Sequence, residues 1–206
     1  MKKILFVTGS MGKGGAERVI SILSKHFEGK GYEVSIAMVL HNIISYEIPS
    51  KINIINLSSK RGIKKDFIKV IIALRKYLKN EKPDLIVAFM AQNVIITGVA
   101  AWGLKIPIIA SERIDPSMVK RNYFYKKVLN LIYERCRKII FQTKRAYNYF
   151  PEKVREKGCI IGNPIEITTE KQKDITKNKI VTVGRLVKQK NQSLLIEAFY
   201  EINKKE

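Results

Sequence analysis

Four glycines in the segment VTGSMGKGGAERV, residues 7–19, form the first candidate site for chemistry. Glycine lets a backbone pass close to a ligand, and the free N–H groups at a helix start attract anions. A dinucleotide fingerprint would need a third glycine where Glu17 stands, and a phosphate-binding P-loop would need Lys and Ser or Thr where Gly15 and Ala16 stand. Both templates therefore fail. The segment predicts an anion-binding loop of another kind, with a tight turn that binds no ligand as the alternative.

Two further pairs of polar residues follow apolar runs that are typical of strands. Glu112 and Arg113 follow one such run, and Gln92 and Asn93 follow another. A guanidinium can clamp a phosphate or carboxylate, and amide groups can hydrogen-bond to sugar hydroxyls. Capping of the next helix is the alternative role for Gln92 and Asn93.

The elements that must position these residues alternate between strand-like runs and helical patterns. The run at residues 85–91 has no polar interruption, as in a strand that is covered on both faces of a sheet. Strands that alternate with helices predict an α/β domain with a doubly wound, parallel, Rossmann-like sheet. In such a sheet, ligands bind at the carboxyl ends of the strands. The predicted strands are Lys3–Val7, Glu33–Leu40, Ile52–Leu57, Leu85–Ala91, Pro107–Ser111, Ile139–Gln142 and Cys159–Gly162.

The amino-acid composition is that of a basic protein without a disulfide framework. Lys and Arg number 39 and Asp and Glu number 18, which gives a net charge of +21. Such a charge favours phosphate-bearing partners, although a lysine-rich surface that only confers solubility is the alternative. Cys136 and Cys159 fit no metal spacing and suit a reduced, cytosolic setting. We expect neither a signal peptide nor a membrane-spanning run, because the longest apolar stretch, Val94–Leu104, is too short.

The acidic residues provide no motif for a metal. A metal site built from carboxylates needs clustered acids, and this sequence contains no Asp-x-Asp. We therefore expect no metal and no other cofactor. The aspartates are Asp66, Asp84, Asp115 and Asp174.

Excess positive charge concentrates in residues 118–138, MVKRNYFYKKVLNLIYERCRK. The apolar positions Phe124, Val128, Leu131 and Ile132 predict an amphipathic helix with a basic, tyrosine-containing start. Such a helix suits an anionic membrane surface, and the alternative is that its stripe packs on the sheet with the lysines in solvent. We expect no specific nucleic-acid partner, because the basic residues are scattered and match no nucleic-acid-binding motif.

The composition changes after Asn163 and Pro164. Residues 166–178 are polar and have no periodicity, which is typical of a linker. The segment VTVGRLVKQKNQSLLIEAF, residues 181–199, predicts a strand, a loop and a helix. We therefore expect a first domain over residues 1–165, a linker over 166–178 and the start of a second, incomplete domain over 179–206.

The ordered set GGAERV, ASERIDP, GNPI and VGRLVKQKNQSLLIEAF resembles the family 4 retaining glycosyltransferases of the GT-B fold. The resemblance covers the whole chain, and its most specific part is Gly-Arg-Leu-x-x-x-Lys-Asn at residues 184–191. It implies two Rossmann-like domains that face a cleft, the N-terminal one for the acceptor and the C-terminal one for the nucleotide-sugar donor. The Glu-x7-Glu segment that relatives use around the donor is absent. The resemblance thus implies the N-terminal half of a GT-B fold with a truncated second domain, inactive by itself.

The resemblance also implies roles for individual residues. Arg185 and Lys190 match the pair that grips the donor's diphosphate, where fixed cations stabilise the charge that develops as the bond to the sugar breaks. The backbone N–H groups of Gly14 and Gly15 would approach the same diphosphate. Relatives often carry histidine where this chain has Arg113, so the replacement argues against an acid–base role there and favours a charge clamp.

The implied reaction is transfer of a sugar from a nucleotide-sugar donor to a saccharide or lipid-linked acceptor, in polysaccharide or glycolipid synthesis. Glu112, Arg113, Gln92 and Asn93 would contact the acceptor or the sugar. The enzyme would work in the cytoplasm or peripherally on the inner face of the cytoplasmic membrane. The alternative is a non-catalytic basic module that binds the phosphates of a nucleotide-sugar or of nucleic acid.

Overall fold

The structure, a computed structural model, describes residues 1–58, 63–164, 180–184, 186 and 190–204. The chain divides into two compact units, Met1–Ile165 and Glu166–Glu206. We call the first unit the sheet domain; the second contains the helix α7 (Gln192–Asn203). Arg185 and the predicted linker at residues 166–178 lie outside the described residues.

The sheet domain alternates strands and helices as the sequence pattern predicts. Its strands are β1 (Lys3–Thr8), β2 (Glu33–Met38), β3 (Asn53–Asn56), β4 (Leu85–Phe89), β5 (Ile108–Glu112), β6 (Lys138–Phe141) and β7 (Gly158–Ile160). Its helices are α1 (Gly15–Gly29), α2 (Ile63–Glu81), α3 (Ala91–Ala100), α4 (Tyr123–Arg135), α5 (Lys144–Asn148) and α6 (Glu152–Arg155), and a short 3-10 helix covers Pro116–Met118.

The seven strands form one parallel sheet in the order β3-β2-β1-β4-β5-β6-β7. From β1 the chain moves outward to β2 and β3, then returns across the sheet and moves outward on the other side from β4. The point where the order reverses, between β1 and β4, is where an open α/β sheet has its ligand crevice. The predicted fold class, a doubly wound Rossmann-like sheet, is confirmed.

Two apolar clusters cover the two faces of the sheet. Alternate residues of β1 enter opposite clusters, Leu5 and Val7 on one face and Ile4 and Phe6 on the other. Helices α2, α3 and α4 contribute to the first cluster, and α1 contributes to the second. Because both faces are covered, β1 and β4 consist of buried side chains after their first residues, which explains their uninterrupted apolar runs.

The predicted strand at residues 85–91 is wrong at its carboxyl end. β4 stops at Phe89, Met90 turns the chain with a positive φ of 72°, and α3 starts at Ala91. Gln92 and Asn93 therefore lie in the first turn of a helix and not at the end of a strand. Apolar residues run from the strand straight into this buried helix, so periodicity alone does not show where one ends.

Two other elements differ from their predictions. Residues 181–183, predicted as a strand, pair with no other strand of the described chain, whereas the helix predicted after them is present as α7. In α4, Leu129, Ile132 and Tyr133 form the buried face, while Phe124 and Leu131 are exposed. The stripe assigned from the sequence is therefore wrong at those two positions.

Candidate functional site

The loops after β1, β4 and β5 leave the sheet at the same edge, because the strands are parallel and adjacent. We call this the carboxyl edge. All six site residues that the sequence predicts in the sheet domain lie at this edge, either on these connections or at the adjoining ends of β5, α1 and α3. They are Gly14, Gly15, Gln92, Asn93, Glu112 and Arg113.

The glycine loop ends at the N-terminus of α1. Gly14 is the N-cap residue, and its carbonyl accepts hydrogen bonds from the Tyr46 hydroxyl at 2.9 Å and the Arg18 N–H at 3.0 Å. The Glu17 carboxylate lies against Gly14, where a Cβ would stand, and its charge complements the helix dipole. Gly15 is exposed. Apart from its chain neighbours and the backbone of its own helix, no heavy atom of the described residues lies within 4 Å of the place where a Cβ would stand. The backbone at Gly15 is open to a ligand.

Glu112, the last residue of β5, is buried in a charge pair. Its carboxylate accepts hydrogen bonds from the Tyr133 hydroxyl at 2.9 Å and from Arg121 Nη2 at 3.2 and 3.3 Å. The side chains of Glu112 and Arg121 are 1% and 6% exposed. Burial, and then the Glu112 charge, raise the pKa of Tyr133 well above its ordinary value, so the phenol remains a donor. Glu112 holds Arg121 in place and does not reach the surface.

Arg113, the next residue, lies on the ring of Phe89. Its guanidinium carbon is 4.8 Å from the ring centroid, and its Nη1 donates to Asn163 Oδ1 at 2.6 Å. The side-chain amide of Gln142 is oriented with its nitrogen toward the backbone carbonyl of Arg113, and this nitrogen donates to the carbonyl oxygen at 3.2 Å. Burial lowers the pKa of Arg113 from its ordinary value, but a guanidinium stays charged in proteins. The arrangement fits a fixed positive charge and offers no group that titrates near neutral pH.

Gln92 and Asn93 face different surroundings although they are adjacent in α3. Asn93 is buried and its Nδ2 donates to the Phe89 carbonyl at 2.8 Å, which ties the helix back to β4. Its Oδ1 has no hydrogen-bond partner among the described residues. Gln92 is exposed and lines a cavity. Of the two, only Gln92 can contact an incoming ligand without rearrangement.

That cavity, of about 360 Å³, lies between the start of α3 and the segment that connects β5 to α4. We call it the α3 cavity. Its lining residues are Met90, Ala91, Gln92, Ile114, Val119, Lys120, Arg121, Asn122 and Tyr125.

Lys120 and Arg121 are site residues that the sequence reasoning missed, because it assigned them only to a basic helix start. A signal was available. An acid at the carboxyl end of a buried strand, as Glu112 is, needs a cation partner if it is to stay charged. Lys120 and Arg121 are cations on the connection that follows this strand. Asn122 then caps α4 by accepting from the Tyr125 N–H at 2.8 Å, which fixes the end of that connection.

The second unit presents Lys190 one residue before Asn191, the N-cap of α7. Lys190 is exposed, and its Cγ lies 3.6 Å from where a Cβ on Gly184 would stand. Gln192 Nε2 donates to the Gly184 carbonyl at 3.4 Å, so glycine and helix start are close together within this unit.

No group of three or more His, Cys, Asp or Glu side chains among the described residues is placed to hold a metal ion. No helix in the described ranges is long and apolar enough to cross a bilayer.

Comparison with known sequences identifies relatives over nearly the whole chain. The sequence model of Glycosyltransferase Family 4 matches residues 13–169. The N-acetylgalactosamine-N,N'-diacetylbacillosaminyl-diphospho-undecaprenol 4-alpha-N-acetylgalactosaminyltransferase of Campylobacter jejuni subsp. jejuni serotype O:2 is 32% identical over 97% of this chain and 59% of its own length. A second transferase of the same organism, named as acting on GalNAc-alpha-(1->4)-GalNAc-alpha-(1->3)-diNAcBac-PP-undecaprenol, is 27% identical over 99% of this chain and 58% of its own length. The chain thus spans less than two thirds of these relatives.

Comparison with solved structures identifies the same fold in more distant proteins. Anabaena HepE in complex with UDP and glucose superimposes with a TM-score of 0.62 at 15% identity, over 81% of this chain and 45% of that one. Sucrose-phosphate synthase from Thermosynechococcus elongatus gives a TM-score of 0.60 at 14% identity, over 79% of this chain and 48% of that one. At these identities the likeness is one of fold.

Proposed function

The chain belongs to Glycosyltransferase Family 4, and from that premise we propose that it is the acceptor-side part of a retaining transferase. The enzyme transfers a sugar from a nucleotide-sugar donor to a saccharide on a lipid carrier, in polysaccharide or glycolipid synthesis. One observation carries the proposal: two transferases named for undecaprenol-linked saccharides match 97% and 99% of this chain. The polar groups along the carboxyl edge support an acceptor site in the sheet domain.

Donor binding uses cations and backbone N–H groups. Arg185 and Lys190 hold the diphosphate, and the helix start at Gly15 contributes N–H groups. As the bond from the anomeric carbon to phosphate breaks, negative charge builds on the leaving diphosphate, and fixed positive groups stabilise it by several kcal/mol. The exposure of Lys190 and Gly15 supports these roles, because both are open to a ligand.

Acceptor binding assigns different roles to four residues, two in the first turn of α3 and two at the end of β5. Arg113 and Gln92 contact the acceptor or the transferred sugar, because one carries a fixed charge and the other lines the α3 cavity. Glu112 and Asn93 act by positioning, since both are buried with partners inside the sheet domain.

The reaction needs no metal and no other cofactor, because the sequence contains no Asp-x-Asp on which a donor-bound metal could sit.

Contact with the membrane that holds the acceptor is made by the start of α4. Met118, Tyr123 and Phe124 are strongly exposed there, Phe124 to 75%, beside Lys126 and Lys127. Exposed aromatics within a basic surface favour an anionic bilayer. We call these five residues the α4 patch. It holds the enzyme peripherally on the cytoplasmic face of the membrane.

A second candidate is a non-catalytic basic module that binds the phosphates of a nucleotide-sugar or of nucleic acid. The net charge of +21 is the observation that favours it. The affinity of such binding falls steeply as the salt concentration rises, and it does not distinguish one polyanion from another.

The test joins the 206-residue chain to the part of the 32%-identical Campylobacter relative that lies beyond its aligned region. The chimera is incubated with a panel of nucleotide-sugars and lipid-linked saccharides, and sugar incorporation into the lipid phase is measured. We expect transfer by the chimera, none by the 206-residue chain alone, and a strong loss with Lys190→Ala.

Folding and donor binding of the chimera are measured in parallel. A folded chimera that binds the donor yet transfers to no lipid-linked saccharide contradicts the proposed acceptor class. Transfer by the 206-residue chain alone contradicts the assignment of donor binding to the second unit.

A further inference from the structure

We propose that the α3 cavity is a phosphate-binding subsite that takes a phosphate group of the acceptor, next to the saccharide that receives the sugar. The proposal rests on the proposed function, and it assigns chemistry to Lys120 and Arg121. Four features of the cavity carry it.

The first feature is an unused hydrogen-bond donor on a buried cation. Arg121 lines the cavity, its side chain is only 6% exposed, and its Nη2 is held by Glu112. Its Nη1 has no hydrogen-bond partner within the described ranges. An unsatisfied donor on a buried guanidinium is costly, so such a group is expected to find an acceptor. A phosphate oxygen suits it in charge and geometry.

The second feature is the start of α3. Ala91 and Gln92 are its first residues and line the cavity, so N–H groups that have no partner inside the helix lie at the cavity wall. The N-cap residue Met90 supplies no side-chain cap. A helix N-terminus carries partial positive charge and favours an anion.

The third feature is backbone strain at the same place. Met90 has a φ of 72°, in the left-handed region that side-chain-bearing residues rarely adopt. Its N–H donates to the Ser111 carbonyl at 2.9 Å, which keeps the turn tight against β5. Strained residues of this kind cluster at active sites and at turns that hold ligands.

The fourth feature is the balance of charge and space. Glu112 neutralises Arg121 in part, but Lys120 also lines the cavity and none of its described lining residues is acidic. A volume of about 360 Å³ corresponds to roughly a dozen water molecules at about 30 Å³ each, which is ample for a diphosphate. A donor on a buried cation, a helix start and a lysine around a space of this size form a phosphate site.

The test measures binding of inorganic pyrophosphate to the 206-residue chain by calorimetry, independently of any transfer reaction. Lys120→Gln removes a lining cation, and Gln92→Glu places a carboxylate at the helix start. We expect each to weaken pyrophosphate binding about tenfold, the usual loss for one charged hydrogen bond. Lys138→Gln is the matched control, because Lys138 is exposed at the start of β6, at the opposite edge of the sheet. It removes the same charge and should leave binding unchanged.

Arg121→Lys tests the buried cation directly, with unfolding by urea measured alongside because the Glu112 pair is disturbed. Lys120→Gln and Gln92→Glu lie outside that pair, so they decide the question if Arg121→Lys does not fold. Absence of pyrophosphate binding, or equal weakening by Lys138→Gln, would overturn the subsite.

The source of the phosphate is separated by two further probes, farnesyl diphosphate and UDP. Farnesyl diphosphate should compete with pyrophosphate and lose affinity with Lys120→Gln. If instead UDP alone competes, the cavity belongs to the donor and the assignment to the acceptor is wrong. Failure of the chimera to transfer sugar, with pyrophosphate binding intact, would count against the proposed function and leave the phosphate site standing.

Discussion

Charged side chains at the carboxyl edge differ in what they can touch, although they are close in sequence. Glu112 has no access to solvent and satisfies Tyr133 and Arg121. Arg113, one residue later, has a guanidinium on Phe89 and a hydrogen bond to Asn163. Under the proposed function, Glu112 therefore positions Arg121 while Arg113 contacts the ligand, and residue type alone would have treated both as ligands of the acceptor.

Gly15→Ala should separate binding from stability. A Cβ at this position meets open space, and alanine is favoured over glycine in a helix by up to about 1 kcal/mol. We expect an unchanged or slightly higher urea midpoint but weaker donor binding in the chimera, since a methyl group obstructs close approach to the backbone. Gly29→Ala at the other end of α1 also meets open space and is the control. If both variants bind the donor like the parent, Gly15 is only a helix start.

Stability should fall in alkaline solution because two buried groups of α4 and its C-cap hold their protons more tightly in the folded chain. Burial raises the pKa of Tyr133 well above its ordinary value and that of Cys136 to about 12. The unfolded chain thus releases these protons at lower pH, and stability that is complete below about pH 9 is lost as the pH rises toward about 12.

Urea unfolding at about pH 8 and about pH 11 measures this loss. Cys136→Ala should lower the free energy of unfolding at about pH 8, but its further decrease between about pH 8 and about pH 11 should be smaller than in the parent. Cys159→Ala, which leaves Cys136 in place, should lose as much stability between the two pH values as the parent does. An equal loss in all three chains would refute the role of Cys136.

Among the elements, α3 and α4 pack directly against each other. Gly98 lies where α3 meets α4, and a Cβ on it would collide with the Ile132 side chain. The absence of a side chain at Gly98 lets the helices approach, and the same contact orients the start of α4 near the α3 cavity. Elements that position the site are therefore fixed by packing at a distance from it.

Gly98→Ala should destabilise the sheet domain by about 1 to 3 kcal/mol, as expected for overpacking in a well-filled core. The measurement is the free energy of unfolding in urea. In a chain that already carries Ile132→Ala, the same change should cost much less, because the colliding atoms are gone. Equal costs in both backgrounds would show that the two residues are not coupled.

The order of strands and helices could be predicted from the sequence, because the central strands are buried on both faces and the helices repeat at their own period. The end of β4 could not, since Met90 and Ala91 are as apolar as the strand before them. Glycines and charged residues at the carboxyl edge could be proposed as ligands of the site. The α3 cavity could not, because it depends on Arg121 returning to Glu112, a contact set by the path of the chain between them.

At the scale of the whole molecule, charge and exposed apolar groups combine. The chain carries +21, and the α4 patch adds aromatic side chains to that charge. Net charge alone raises affinity for any polyanion, whereas inserted aromatics discriminate a bilayer from a soluble polymer.

Sedimentation of the 206-residue chain with vesicles of phosphatidylglycerol and phosphatidylcholine tests the α4 patch. We expect binding that weakens from about 0.1 M to about 1 M salt. Phe124→Ser should reduce binding about tenfold at the lower salt, because it removes one inserted aromatic ring. Ile161→Ser, an exposed apolar residue outside α4, is the control. Equal effects of the two substitutions would exclude the patch as a specific contact.

Removal of metal should leave transfer by the chimera unchanged. The proposal assigns the leaving diphosphate to Arg185, Lys190 and backbone N–H groups, so a divalent ion has no assigned task. Rates are compared before and after dialysis against a chelator, with and without added Mg²⁺ and Mn²⁺. A rate that collapses on dialysis and returns with either ion would contradict a metal-free reaction.

The connection from Glu112 to Arg121 is fixed at both of its ends. Its first residue and its last are joined by a buried acid–base pair, 3.2 Å apart, and Asn122 then caps α4. Between these fixed ends, the side chains of Ile114 and Met118 are exposed. We expect substitutions at these two exposed positions to change the surface beside the α3 cavity while β5 and α4 keep their places.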